Sequence, residues 1–283
     1  MMTTAAGRVA VVTGANKGIG YFIALQLGVS GIFEHIVLGC RDVSRGEAAL
    51  ATMKPLLPST VKASCLPLTI GDSQSHLSFR TKLEELLGPP AKVDVLVNNG
   101  AIAFKNSDPT PFTEQTKPTL DINFRGTVEF TETMLPLLRQ AGKHTRDSRI
   151  VNVASQSGYL SQLSPELQQQ FASPTLTMPE LKALIDQFEK DVQAGTHISK
   201  GWSNSNYGIS KLGLIAATKI WAREEATNQI TVNASCPGYC DTDMSSHKGP
   251  RPPEEGAKNA VLPATMENPP TGEFFSDLKV RQW

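Results

Sequence analysis

Tyr207 and Lys211, in the run Ser205-Asn206-Tyr207-Gly208-Ile209-Ser210-Lys211, have the types and spacing for proton chemistry. They stand one helical turn apart, so a helix would project both side chains from the same face. A free phenol has a pKa of about 10 and is a poor acid-base catalyst at neutral pH. An ammonium group beside it favours the phenolate and lowers that pKa by roughly one to three pH units. On this reading Lys211 depresses the Tyr207 phenol, which hands its proton to a carbonyl oxygen. The same pair on a solvated helix face would do nothing, so its meaning depends on the rest of the chain.

At the other end, Arg8-Val9-Ala10-Val11-Val12-Thr13 is a short, β-branched, apolar strand. It runs into Gly14-Ala15-Asn16-Lys17-Gly18-Ile19-Gly20 and then an apolar-periodic helix from Tyr21 to Val29. Strand, glycine-rich turn and helix in that order form the opening unit of a dinucleotide-binding fold. Gly14 permits the turn, Gly18 lets the backbone approach a pyrophosphate, and Gly20 lets helix and strand pack closely. The helix amino terminus offers free N–H groups and a positive dipole end to phosphates.

Together these runs resemble the short-chain dehydrogenase/reductase family, and further motifs lie in order over residues 9–244. Asp94-Val95-Leu96-Val97-Asn98-Asn99 is similar to the family's fourth strand and its Asn pair. Asn123, in Asp121-Ile122-Asn123-Phe124, and Ser155, closing Ile150-Val151-Asn152-Val153-Ala154-Ser155, stand where the family keeps its catalytic Asn and Ser. Pro237-Gly238-Tyr239-Cys240-Asp241-Thr242 matches the run beside the nicotinamide. The resemblance implies a catalytic tetrad of Asn123, Ser155, Tyr207 and Lys211, with Asn123 holding a water that passes protons to Lys211. It implies cofactor contacts from Gly14, Asn16, Lys17, Gly18, Ile19, Gly20, Arg41, Thr69, Asn98, Pro237, Gly238 and Thr242, beside Tyr207 and Lys211. Phe104, Gln156, Trp202, Tyr239 and Met244 fall in segments that the family uses to wall its substrate pocket.

Within the family the chain resembles the animal-type monomeric carbonyl reductases, in runs such as Asp108-Pro109-Thr110-Pro111-Phe112, Ser164-Pro165-Glu166-Leu167-Gln168-Gln169 and Gln282-Trp283. The long interval between Ser155 and Tyr207 is part of that likeness. It implies reduction of ketones, aldehydes or quinones by hydride transfer, with aromatic walls favouring flat or bulky carbonyls. A hydroxysteroid or prostaglandin dehydrogenase would run the same tetrad in reverse. A non-catalytic cofactor sensor typically lacks the Tyr, Lys or Ser that are all present here. Three departures stand out: Gly100-Ala101 reverses the usual Ala-Gly, Thr69 replaces an acidic residue that contacts adenine, and Tyr239 replaces a Trp. If that turn needs a positive φ at the second position, Ala101 would be strained.

The second strand ends in Leu38-Gly39-Cys40-Arg41-Asp42. An NAD enzyme places a carboxylate here against the ribose 2′-hydroxyl, whereas Arg accommodates a 2′-phosphate. Cys40 occupies the carboxylate position with Arg41 next, and Lys17 supplies a second cation, so the expected cofactor is NADPH/NADP+. Asp42 reads as the cap of a helix starting near Val43.

Strands are expected at 8–13, 34–40, 61–68, 93–97, 149–154, 230–235 and 272–276, alternating with helices. That pattern predicts a Rossmann-type, doubly wound, parallel seven-stranded sheet in one domain, residues 1–283. A helical insertion at about 159–203 precedes the catalytic Tyr. It reads as one helix from Pro165 to Phe171 and a second from Met178 to Ala194, between Pro179 and Gly195. Relatives use this region for assembly, so covering it predicts a monomer. The 283 residues are 40% hydrophobic and carry 27 basic and 27 acidic side chains. The balance leaves no basic footprint for nucleic acid or anionic membrane. No apolar run approaches the roughly 18 residues of a membrane span, and no signal peptide opens the chain, so a cytoplasmic protein is expected. Cys40, Cys65, Cys236 and Cys240 form no C-x-x-C pair, which argues against a metal site or disulfide framework. Cys236 and Cys240 flank the Pro-Gly turn and could make the protein oxidation-sensitive.

Overall fold

The structure, a computed structural model, describes residues 7–105, 107–145 and 147–283; residues 1–6 of the expected domain lie outside the described residues. Strands β1 (Val9–Thr13), β2 (His35–Cys40), β3 (Lys62–Pro67), β4 (Val95–Asn98), β5 (Ser148–Val153), β6 (Ile230–Cys236), β7 (Phe274–Ser276) and β8 (Lys279–Arg281) form one sheet. Their order is β3-β2-β1-β4-β5-β6-β7-β8. Every pairing is parallel except the last, β7 with β8. The seven expected strands are all present, and β8 is an addition. It is short and fully exposed, and it folds back on a two-residue turn at Asp277 and Leu278, with φ of 52° and 59°. Turns of that type usually carry Asn-Gly or Asp-Gly, so Asp-Leu gave no hairpin signal.

Helices cover both faces, as parallel strands buried on two sides require. One face packs α1 (Gly18–Val29), α2 (Val43–Met53) and α9 (Pro253–Thr265) over Val12, Ile36, Leu38 and Val97. The other packs α3 (Ser73–Leu87), α4 (Phe112–Leu120), α5 (Thr127–Thr145) and α8 (Asn206–Glu224), and its larger core includes Phe79, Phe124, Phe130 and Trp221. Polar caps set where these helices begin. Asp42 accepts from the Arg45 N–H to open α2, and Ser205 accepts from the Gly208 N–H to open α8.

The insertion forms α6 (Pro165–Phe171) and α7 (Met178–Gln193). Thr177 and Glu180 make a capping box at the start of α7, with Pro179 in its first turn. Leu181, Ile185 and Phe188 bury one stripe of α7 in the larger core, against α4 and α8. Among the described residues no helix is long and apolar enough to cross a membrane, and no group of three or more His, Cys, Asp or Glu could hold a metal ion.

Candidate active site

The sheet order reverses direction between β1 and β4, the place where open parallel sheets take ligands at their strand ends. Gly14 leaves β1 there with φ of 65°, a left-handed conformation that favours glycine. A Cβ on Gly14 would lie 2.9 Å from the Gly100 Cα, so the two turns touch backbone to backbone. The approach requires glycine at 14 and not at 100, since a Cβ on Gly100 would meet nothing closer than the Thr13 Oγ1 at 3.3 Å. Ala101 is not among the residues with positive φ, so the expected strain is absent. Asn99 completes the junction, donating from Nδ2 to the carbonyls of Thr13 and Gly14.

The first turn of α1 has no side-chain cap, which leaves its N–H groups for an anion. Lys17 and Arg41 are exposed beside it, and the Asp42 carboxylate is engaged in capping α2. These features fit a phosphate-bearing dinucleotide, with Gly14, Asn16, Gly18 and Ile19 on the turn. Lys17 forms an ion pair with Asp243, just past Thr242, so the cation proposed for phosphate already has a carboxylate partner. Thr69 follows β3 and donates its N–H to the Ser75 hydroxyl.

The catalytic candidates come from three elements. Ser155 follows β5, and Tyr207 and Lys211 share one face of α8. Lys211 is buried and donates from Nζ to the Val153 carbonyl at 2.8 Å. Its nitrogen lies 5.6 Å from the centre of the Tyr207 ring. Burial pushes Lys211 down to about 8, against an opposing pull from Cys236. Burial pushes the Tyr207 phenol well above its ordinary value; Cys236 adds to this, and a hydrogen bond with the Ser155 hydroxyl opposes it. The expectation that Lys211 depresses the phenol is not met in this structure: desolvation dominates, and the ammonium is turned to the Val153 carbonyl.

Asn123 lies in a π-helical turn, Asp121–Gly126, between α4 and α5. Its amide accepts from the Ile102 N–H and donates to the Ile102 carbonyl, both at 2.8 Å, and also reaches the Ser210 hydroxyl at 3.2 Å. It thus ties the loop after β4 to α8, next to Lys211.

One assignment needs correction. Trp202 does not wall a pocket. It is 4% exposed, packs against Phe171 and Phe188, and donates from Nε1 to Asp191 at 3.0 Å. Its aromatic bulk holds the insertion together. The Asn98 side chain is likewise interior, donating to Thr131 and Asn152, so it offers the cleft only backbone. By contrast, Tyr239 and Met244 are exposed and Phe104 is half-buried on the loop after β4. Gln156 donates from Nε2 to the Ser276 hydroxyl.

Some site residues were not anticipated. The Cys236 sulfur accepts the Gln156 and Gly238 N–H groups at 3.3 Å each, joining the Ser155 segment to the Pro237-Gly238 turn. Trp283 donates to the Gly158 carbonyl at 2.7 Å and so anchors the same segment. The cysteine's place beside the Pro-Gly turn was a signal; Trp283 entered only through the family likeness, which did not place it at the site.

A family model described as short chain dehydrogenase matches residues 8–165 and 193–252 of the chain. The chain belongs to the short-chain dehydrogenase family. The stretch that the model skips, between its two matched parts, holds most of α6 and α7, so the insertion lies outside the core that the family model describes. The chain is 41% identical to carbonyl reductase (NADPH) 1 of Sus scrofa, over 98% of this chain and 94% of that protein. It is 40% identical to the Homo sapiens protein of the same name, over 97% and 98%. Among solved structures it is similar to salutaridine reductase from Papaver somniferum, with a TM-score of 0.82 and 28% identity over 95% of this chain and 99% of that one.

Proposed function

We propose that this short-chain dehydrogenase uses NADPH to reduce ketones, aldehydes or quinones, with Tyr207 protonating the carbonyl oxygen. The observation that carries the reading is the meeting of Tyr207 with the Ser155 hydroxyl above a buried Lys211, beside an uncapped glycine turn. The relatives named for NADPH-dependent carbonyl reduction support it over nearly the full length of the chain.

The turn at Gly14, Asn16, Lys17, Gly18 and Ile19 would hold the pyrophosphate, and Arg41 with Lys17 the 2′-phosphate. Pro237, Gly238 and Thr242 would flank the nicotinamide. When bound, NADPH supplies the hydride for the carbonyl carbon. Ser155 donates its hydroxyl hydrogen to the carbonyl oxygen and fixes its position. Tyr207 holds the second donor at the same oxygen. The raised phenol pKa keeps this proton in place at neutral pH until the oxygen becomes basic enough to take it. Lys211 places a positive charge behind the phenol, and Asn123 would hold a water that refills the proton. Phe104, Gln156, Tyr239 and Met244 remain as pocket candidates, and the exposed Tyr239 ring favours flat substrates. We further propose that residues 1–283 act as one monomeric, cytoplasmic unit, since α7 lies across α4 and α8, where relatives assemble.

Tyr207→Phe tests the assignment. kcat should fall by about 10²- to 10⁴-fold with a quinone or aryl ketone, while NADPH binding is retained. Unchanged turnover would remove Tyr207 from the acid role.

A further inference from the structure

A second pair of reactive side chains lies beside the glycine turn. Cys40 ends β2, and Cys65 lies in β3, the edge strand of the sheet. In their parallel register Leu38 faces Cys65 and Cys40 faces Pro67, so both thiols project from one side of the sheet. Helix α2 crosses that side at Gly46. A Cβ there would lie 2.2 Å from the Cys65 sulfur and 3.2 Å from the Cys40 sulfur. Only a residue without a side chain lets the two sulfurs converge beneath the helix. Each thiol perturbs the other, pushing the Cys65 thiol down and the Cys40 thiol up. Cys40 is fully buried, whereas Cys65 is half-buried.

We propose that Cys40 and Cys65 form a redox-active thiol pair whose oxidation to a disulfide weakens cofactor binding at the adenosine end of the cleft. Its effect on the cofactor rests on the NADPH reading above. The oxidant is a peroxide. The Cys65 thiolate attacks one peroxide oxygen, the O–O bond breaks, and the departing hydroxide takes a proton to become water. The Cys40 sulfur then displaces the sulfenic hydroxyl, forming the S–S bond and breaking the S–O bond. Its proton leaves with that hydroxyl as a second water. Two thiols and one hydrogen peroxide thus give one disulfide and two waters, with two electrons passing from sulfur to oxygen.

The two-residue offset along the strands sets diagonal positions about 7–8 Å apart, farther than a relaxed disulfide spans, so β3 must slip along β2 towards Cys40. As an edge strand, β3 is tied on one side only and can make that movement. The slip strains the end of β2, where the Gly39 carbonyl accepts the Gly14 N–H of the turn that cradles the phosphates, and shifts Arg41 nearby. The loss of one such contact raises a Kd by about tenfold.

The test treats the full-length protein with hydrogen peroxide, reads intact and peptide masses, and measures NADPH affinity by nicotinamide fluorescence. The expected result is a Cys40–Cys65 disulfide, an NADPH Kd raised about tenfold, reversal by dithiothreitol, and no change in C65S. G46A, which keeps both thiols but drives the sulfurs apart, should resist cross-linking. Two thiols that both remain alkylatable after peroxide, or a disulfide joining either one to Cys236 or Cys240, would overturn the pair. A Cys40–Cys65 disulfide with unchanged NADPH affinity would overturn its link to the cofactor. Reduced protein that fails to bind NADPH would refute the cofactor reading, and the peptide masses would still decide the pair.

Discussion

Asp243→Asn should tighten NADPH binding and leave NADH binding unchanged. Lys17 Nζ lies 2.5 Å from Asp243 Oδ2, and the two side chains are 57% and 56% exposed. If Lys17 is a ligand of the 2′-phosphate, Asp243 is its competitor, and the phosphate must take the ammonium from the carboxylate. An exposed pair of this kind is weak, because water and salt screen both charges. Removing the carboxylate should therefore lower the NADPH Kd by only about two- to fivefold, with a smaller gain at high salt. NADH carries no 2′-phosphate and has nothing to gain. His247 touches Asp241 at 2.7 Å and Asp243 at 3.0 Å, and these two carboxylates hold its imidazolium pKa above the ordinary value. In the variant that pKa should fall only part-way, since Asp241, the larger cause, remains. The assay is a fluorescence titration of both cofactors at low and high salt, with the His247 ring followed by NMR. Equal tightening of both cofactors would show that Asp243 acts on the turn as a whole. Weaker NADPH binding would show that the pair supports the phosphate site instead of competing with it.

Three further outcomes follow from the same geometry. Arg41→Asp should cut the NADPH-to-NADH preference by tens- to hundreds-fold, and an unaltered ratio would show that Arg41 does not read the phosphate. Lys211 is charged below about 8 and neutral above it, so the reductive kcat/KM should decline as pH rises through that value; a profile flat well past it would remove the charge from the mechanism. Trp202→Phe should lower the Tm while leaving substrate KM unchanged, because the indole N–H serves the buried Asp191. A changed KM at unchanged stability would return Trp202 to the pocket.

The parts of this molecule that were legible in its sequence are those fixed by local chemistry. A β-branched run followed by glycines can do little except turn from strand into helix, and Ser205, Asp42 and Thr177 announce their helices by bonds within three residues. Tyr207 and Lys211 share a face because the helix period demands it. Long-range choices were not legible. Lys17 meets Asp243 across nearly the whole chain, and nothing near either residue signals the pairing. Trp202 carried an aromatic signal, but the same bulk fits a substrate wall or an interior; Asp191, eleven residues earlier, decided for the interior. The phenol pKa was misjudged for a related reason. Spacing shows that Lys211 is near, whereas burial, which a sequence does not display, sets the direction.

The insertion, read from sequence as a shield against assembly, is also tied to the turn that carries Asn123. Arg125 stands two residues after Asn123 in the π-helical turn, and its guanidinium bonds Asp121 at 2.7 Å, Asp186 at 2.6 Å and Glu189 at 2.6 Å. The last two lie on α7, so the turn that holds Asn123 against Ile102 and Ser210 is itself held by the insertion. Arg125→Met would leave Asp186 and Glu189 without their cation, while Asp121 keeps its pair with Lys117, destabilising the fold by about 1–3 kcal/mol. At this chain size that corresponds to a fall in Tm of about 2–4 °C per kcal/mol. If the insertion only shields a surface, kcat at 25 °C should be untouched by that loss. If it braces the turn, kcat should fall at a temperature where the protein is still fully folded, and Arg125→Lys, which restores one charge without the forked geometry, should recover stability better than rate.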